Sequence, residues 1–121
     1  MGLDQYVYYT KKENVIDDEH FEGYEDITHE DFYWRKNQPL QNWMRNLWMK
    51  KTGNTDPWEF NCVLLRLSEE DIKALRADIE NGVLDTISKS KYYDKERDLQ
   101  FCDEAEWRFT KGYAIYYEPW W

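Results

Sequence analysis

Four consecutive side chains combine the two chemistries that a flat, anionic ligand requires. They are two rings followed by two cations, Tyr33, Trp34, Arg35 and Lys36. Rings stack on a nucleobase, and a guanidinium binds phosphate or carboxylate through charge-assisted hydrogen bonds. In an extended segment, Tyr33 and Arg35 are expected on one side, and Trp34 and Lys36 on the other. The alternative is structural: Trp34 is buried against the next helix, and Arg35 pairs with acidic side chains.

The two ends of the sequence supply the other candidates for this site. Asp4 shares one face of a predicted first strand with Tyr6, and a buried carboxylate requires a partner, for which Arg35 is the natural choice. That salt bridge would be structural, or it would hold Arg35 in place for a ligand. Trp121 would either close the core or form a pocket wall. The predicted ligand-binding residues are therefore Asp4, Tyr6, Tyr33, Arg35, Lys36 and Trp121.

The connection at 13–31 carries side chains of the kind that hold a divalent cation. From position 17 onward the segment contains many Asp and Glu residues but no Lys or Arg, and it also contains His20 and His29. Their spacing matches neither an EF-hand loop nor a His-Glu-x-x-His helix. We interpret the segment as a solvated, mobile acidic connection, and we predict no metal and no other cofactor.

The remaining nucleophiles do not match a known catalytic arrangement. Cys62 lies in an apolar run and Cys102 on the apolar side of a predicted helix, so both are interpreted as buried core thiols. Whether they pair is left open. The sequence has neither a Gly-rich phosphate loop nor a Gly-x-Ser-x-Gly motif. Acid–base chemistry would depend on carboxylates or tyrosines, so we predict no catalytic residue and favour a protein that is not an enzyme.

Composition indicates an acidic, ring-rich domain. The chain has 121 residues, the usual size of one domain, and 18% of them are aromatic. The net charge of -9 opposes binding to a phosphate backbone, so no direct nucleic-acid contact is predicted. No apolar run approaches the ~20 residues that span a bilayer, so no membrane contact is predicted either. The excess of rings makes a homodimer plausible.

Residue patterns predict one α+β domain over 1–121, with about three helices packed on a mixed or antiparallel sheet. The run GLDQYVYY predicts an inner strand covered on both faces, FNCVLLRL a central strand, and YAIYYEPWW a terminal strand. Ser68 is predicted to begin the second helix, and Asn81-Gly82 to end it. A third helix is predicted from about Lys95 to Lys111. The first helix carries an apolar stripe that is expected to face the sheet: Leu40, Trp43, Met44, Leu47 and Trp48.

The opening MGLD, the YWRK before a Trp-bearing helix and the closing YYEPWW together resemble a family of small, mostly uncharacterised bacteriophage proteins. The middle helix LSEEDIKALRADI is also similar. The family often carries a His just before the helix Trp, where this chain has Asn42. The resemblance implies a phage accessory protein in the host bacterial cytoplasm and implies no reaction. The matching positions are Gly2, Leu3, Asp4, Tyr6, Tyr33, Trp34, Arg35, Lys36, Trp43, Tyr116, Tyr117 and Trp121.

Three functions follow as hypotheses. The favoured one is a non-catalytic accessory or anti-defence protein that captures a small anionic or nucleotide-like ligand in an aromatic/Arg pocket. The second is an acidic inhibitor that masks a host protein, including by a DNA-mimic type of surface. The third is a hydrolase that uses carboxylates. A binding role requires only rings and placed charges, which this sequence has in excess.

Overall fold

The computed structural model describes residues 2–22, 32–86 and 93–121, in which three helices pack on a four-stranded antiparallel sheet. This confirms the predicted α+β class. The strands are β1 (Asp4–Lys11), β2 (Phe32–Arg35), β3 (Leu65–Leu67) and β4 (Tyr113–Trp120). The helices are α1 (Gln38–Thr52), α2 (Glu69–Glu80) and α3 (Lys95–Thr110). Short 3-10 turns occupy 12–14, 57–60 and 84–86.

The strands lie in the order β2-β1-β4-β3, with every neighbouring pair antiparallel. β1 is therefore an inner strand, as predicted. The prediction of a central strand over FNCVLLRL is wrong, because only Leu65–Leu67 pairs, and it pairs at the edge of the sheet. Asn61 and Cys62 form a turn instead, and Cys62 adopts a left-handed backbone conformation with φ of 61° that a strand does not allow.

The main core lies between the sheet and the helices. Alternate residues of β1 and β4, such as Val7 and Tyr117, point into it and are fully buried. From α1 it receives Leu40, Met44 and Trp48, so the apolar stripe does face the sheet. Trp43 and Leu47 are partly buried at the margin of this core, and the Trp43 indole N–H donates to Asp78 Oδ2 at 2.9 Å. From α2 and α3 it receives Ile72, Leu75, Ile79, Phe101, Cys102 and Ala105.

Helix boundaries follow local signals in the sequence. Asn37 caps α1, and its Oδ1 accepts a hydrogen bond from the Leu40 N–H at 3.2 Å. Gly53 ends that helix with φ of 73°, a left-handed conformation that costs glycine little. Ser68 and Asp71 form a reciprocal capping box at the start of α2. These caps determine where α1 leaves β2 and where α2 leaves β3.

The other sheet face is partly covered by the N-terminal connection. A second apolar cluster forms there: Tyr8, Phe21, Leu64, Ala114 and Tyr116. Val15 and Phe21 form an antiparallel bridge, and the Tyr116 hydroxyl donates to the Asp17 carbonyl at 2.6 Å. The prediction that β1 is covered on both faces therefore holds from Tyr8 to Thr10, whereas Asp4 and Tyr6 at its start are only half-buried. Residues 23–31 of the acidic connection lie outside the described residues, and its mobility stays a prediction.

Each edge of the sheet has side-chain or loop contacts on its backbone. At β2, Arg97 Nη2 donates to the Tyr33 carbonyl at 2.6 Å. At β3, the Arg66 N–H donates to the Asp18 carbonyl at 3.1 Å, and Lys51 Nζ donates to the Arg66 carbonyl at 2.8 Å. Such contacts oppose strand addition by another chain.

Trp34 is buried in the same core as the α1 residues Leu40 and Met44, and its ring also packs on α3. Its ring meets Phe101 edge-on, with centroids 5.0 Å apart. The reason is polar: the indole N–H donates to Asp98 Oδ1 at 3.0 Å, and Asp98 lies on α3. A buried indole N–H needs an acceptor, and this one aims the ring at α3.

We expect Trp34→Ala to lower the free energy of unfolding by about 3–5 kcal/mol, because it empties a buried site and removes a hydrogen bond. Arg35→Ala, at the exposed next position, is expected to change it by less than about 0.5 kcal/mol. Urea denaturation of both variants measures the difference. Equal losses would contradict this assignment of the two neighbouring side chains.

Candidate functional site

Four of the six predicted ligand-binding residues lie together on the sheet face away from the helices. The strand register sets Asp4 opposite Arg35 and Tyr6 opposite Tyr33. The predicted salt bridge between Asp4 and Arg35 is wrong, because Asp4 accepts a short hydrogen bond from the Tyr33 hydroxyl instead. That bond is the main cause that raises the pKa of Tyr33 to about 12. Arg35 is exposed and forms no ion pair with any described residue.

The other two predicted residues lie elsewhere. Lys36 follows β2 with φ of 56°, and its N–H donates to the Leu3 carbonyl at 2.8 Å where the chain turns toward α1. Trp121 follows Trp120, whose side chain is on the helix-free face, so alternation directs Trp121 to the helix side. It packs there against the margin of the core. The predicted set is thus divided among three places: the helix-free face, the turn after β2 and the margin of the core.

Trp121 forms one wall of a cavity of about 420 Å³. This volume falls within the usual range for small-molecule sites. The start of the chain, one face of α1 and the turn at 57–60 supply the other walls. The side chains that matter for its chemistry are Leu3, Gln38, Gln41, Arg45, Trp58 and Trp121.

Asn61 holds Trp121 in place at the cavity. Its side chain acts as a strand partner, since Nδ2 donates to the Trp121 carbonyl at 2.8 Å and Oδ1 accepts from the Trp121 N–H at 3.0 Å. The Trp58 ring meets the Trp121 ring, with centroids 6.3 Å apart and ring planes at 54°. Asp56 fixes the Trp58 backbone by accepting its N–H at 3.0 Å. Two indole rings therefore line the cavity, and hydrogen bonds hold the backbone of both residues in place.

A chain of buried hydrogen bonds orients the amide of Gln41 toward donating. Gln5 pairs with the Asn37 backbone, because its Oε1 accepts the Asn37 N–H at 2.9 Å and its Nε2 donates to the Asn37 carbonyl at 3.0 Å. The same Nε2 donates to the Tyr117 hydroxyl at 3.0 Å. Tyr117 must then donate its own proton, and Gln41 Oε1 accepts it at 2.5 Å. The Gln41 NH₂ group is left without a partner among the described residues, although Gln41 is only 5% exposed.

Arg45 adds the positive charge. It lies one turn after Gln41 on α1 and makes no ion pair with any described residue. The cavity therefore offers an amide NH₂ group and a guanidinium, which are both hydrogen-bond donors, and two rings. We did not predict Gln41, Arg45 or Trp58. The signal was present, because Gln38, Gln41 and Arg45 have the i, i+3, i+7 spacing of a single helix face.

Asp98 anchors the other end of this buried network. Its Oδ1 accepts from the Trp34 indole and from Asn37 Nδ2, each at 3.0 Å, whereas Oδ2 has no partner in the described part of the chain. Burial of the carboxyl raises the pKa of Asp98 to about 7, against lowering by its two hydrogen bonds. The network thus joins α3, β1, β4 and α1 to the cavity.

The thiols divide between surface and core. Cys102 is fully buried, as predicted, and burial raises its pKa to about 12. The expectation that Cys62 is buried is wrong, because the turn at Asn61 and Cys62 exposes it, and its Sγ lies 3.3 Å from Asn61 Oδ1. Both are free thiols.

The acidic connection carries side chains of the kind that bind metal ions. Within residues 2–22, 32–86 and 93–121, no group of three or more His, Cys, Asp or Glu side chains is arranged to hold a metal ion. Asp17 is occupied locally, since its Oδ1 accepts from the Glu19 N–H and contacts His20 Nδ1, each at 2.8 Å. The first of these bonds is the main cause that lowers the pKa of Asp17. His29 lies outside the described residues.

No family model, curated protein or solved structure matches this chain. The resemblance to phage proteins stays a prediction from the sequence motifs. None of the described helices is long and apolar enough to cross a membrane.

Asp98 is expected to make stability depend on pH. Its raised pKa means that the folded state keeps a proton that the unfolded state releases. The protonated carboxyl therefore stabilises the fold fully below about pH 3.8, and this contribution is lost as pH rises through about 7. The free energy of unfolding of the native protein, relative to Asp98→Asn, should fall over that window and then level off. Urea denaturation across the window measures it. A difference that rises with pH, or stays flat, would contradict the assignment.

Proposed function

We propose that this protein is a non-catalytic binding protein that captures a small anionic, nucleotide-like ligand in the cavity beside Trp121. The planar part of the ligand packs against Trp58 and Trp121, and its anionic group meets Arg45 and the Gln41 amide. This keeps the chemistry expected from the sequence, an aromatic/Arg pocket, and assigns it to other residues. Of the six residues predicted from the sequence to bind a ligand, only Trp121 lines this cavity.

The observation that carries this proposal is the fixed orientation of the Gln41 amide. Because Tyr117 donates to Gln41 Oε1, the NH₂ group is the end of that amide without a partner among the described residues, and it can donate to a ligand. The Gln41 NH₂ group has no partner among the described residues and is not fully enclosed, so an acceptor atom of a ligand in the cavity can reach it. Arg45 supplies a second donor with a full charge, so the acceptor is best an anion.

The overall charge of -9 opposes anions at long range, so recognition must depend on close contacts. Ring contacts and hydrogen bonding inside a cavity are screened by salt less than exposed charge pairs. The proposed site therefore favours a ligand with both a flat group and an anionic group over an inorganic anion. Binding should also weaken little as ionic strength rises.

We also propose that the protein is a phage accessory or anti-defence protein that acts in the host bacterial cytoplasm. The support is the set of motifs MGLD, YWRK and YYEPWW. Capture of a nucleotide-like molecule would suit such a role, because it requires binding without turnover. The cavity presents hydrogen-bond donors and rings, which are the groups that such binding requires.

Titration calorimetry with AMP, adenosine and inorganic phosphate tests the proposal. AMP should bind, adenosine should bind more weakly because it lacks the anion, and phosphate should bind most weakly because it cannot stack. AMP should also raise Tm, since it binds only the folded state. Absence of any measurable heat and Tm shift with AMP, under conditions in which the protein is folded, would contradict the proposal.

Arg45→Gln is expected to weaken AMP binding by about tenfold or more, because it removes the charged donor. Lys50→Gln is the matched control, since it removes the same charge from an exposed position on the same helix. Trp58→Ala should reduce binding of both AMP and adenosine. Equal effects of Arg45→Gln and Lys50→Gln would indicate a non-specific charge effect rather than the proposed contact.

A further inference from the structure

The helix-free face of the sheet places two carboxylates among rings from three strands. Asp4 lies opposite Trp120, and Tyr6 lies opposite Glu118. On the other side of β1, Tyr33 lies opposite Tyr6. These five residues are termed the outer patch. It differs from the cavity in its face of the sheet and in the sign of its charge.

Each carboxylate of the outer patch uses one oxygen internally. Glu118 Oε1 accepts from the Tyr8 hydroxyl and from the Trp120 indole N–H, both at 2.8 Å. Asp4 Oδ1 accepts from the Tyr33 hydroxyl. Asp4 Oδ2 and Glu118 Oε2 have no hydrogen-bond partner in the described part of the chain, and both residues are only half-buried. Two charged acceptor oxygens therefore remain for a donor from outside.

The rings of the outer patch are held in place yet partly exposed. Trp120 is 50% exposed although Glu118 fixes its indole N–H. It meets Tyr6 edge-on with centroids 6.5 Å apart, and Tyr6 meets Tyr33 at 5.3 Å. Ordered Trp and Tyr side chains beside polar groups are typical of protein-binding hot spots, because little side-chain entropy is lost on binding.

The chemistry of the patch selects a cation. Carboxylate oxygens and ring faces both attract an ammonium or guanidinium, and the net charge of -9 favours a basic partner. By contrast, Trp107, an exposed ring on α3, already has Arg108 and Lys111 at 5.3 and 5.8 Å from its ring centroid. No cation of the described residues lies over Trp120.

We propose that the outer patch binds a lysine or arginine side chain presented by a partner protein. The side chain would lie along Trp120 and donate to Asp4 and Glu118. The partner is expected to dock on the face of the sheet, because side-chain and loop contacts occupy backbone groups at both edges. This goes beyond the proposed function, since it names a second site and a ligand of opposite charge.

The probe for this proposal is the capped tripeptide acetyl-Gly-Lys-Gly-amide, with the Glu peptide of the same length as control. A titration followed by ¹H–¹⁵N NMR reports each indole N–H separately. The Lys peptide should shift the Trp120 indole resonance with saturation, and the Trp107 resonance should move little because local cations already cover that ring. The Glu peptide should leave the Trp120 resonance in place.

Two variants are expected to change the affinity for the Lys peptide in opposite directions. Glu118→Gln keeps an acceptor oxygen for Tyr8 and Trp120 but removes the charge, so Lys-peptide affinity should fall by about fivefold or more. Arg35→Gln removes a positive charge, which would repel the Lys side chain of the peptide, from the position opposite Asp4. The affinity for the Lys peptide should therefore rise. Glu70→Gln, an exposed glutamate on α2, is the matched control and should have little effect. The same spectra show whether each variant is folded.

The proposal is overturned if the Lys peptide gives no saturable shift at Trp120, or if the Glu peptide gives the same shift. It is also overturned if Glu70→Gln weakens binding as much as Glu118→Gln, since that would indicate general attraction to an acidic protein. Weaker Lys-peptide binding in Arg35→Gln would likewise contradict the assigned charge preference.

Discussion

The structure depends on one buried chain of hydrogen bonds, which runs from Asp98 through Asn37, Gln5 and Tyr117 to Gln41. It joins α3 to the start of α1 and joins the start of α1 to the inner strand β1. It then continues from β1 to β4 and back to α1. Buried polar groups are costly unless they are paired, so each link constrains the next. The same links that fix the helices on the sheet therefore also decide which end of the Gln41 amide meets the cavity.

The sheet separates two chemistries because its side chains alternate between faces. On the helix side, the buried network and Arg45 leave donors at the cavity. On the other side, Asp4 and Glu118 leave acceptors among half-exposed rings. The neighbours Trp120 and Trp121 belong to different faces for this reason. An acidic protein can thus carry both a site suited to anions and a site suited to cations, because close contacts outweigh net charge at short range.

Features that depend on near neighbours in the sequence could be predicted. The stripe of α1 and the Ser68 cap of α2 are set within a few residues, and both are confirmed. The sequence also indicated that Asp4 and the YWRK segment would meet. It did not indicate the bond, because only the strand register brings the Tyr33 hydroxyl to Asp4 while Arg35 stays in solvent.

The buried network and the cavity were not predicted, because their members are distant in sequence: Gln5 is 32 residues from Asn37 and 112 from Tyr117. A lone Gln or Asn in a strand or loop carries no signal of burial. The central claim is that the Gln41 amide donates to an anionic ligand, and the most direct measurement is its side-chain NMR signal during addition of AMP. The account predicts a saturable shift of the Gln41 NH₂ resonance while the Trp120 indole stays unchanged. A shift at Trp120 with Gln41 unmoved would contradict it.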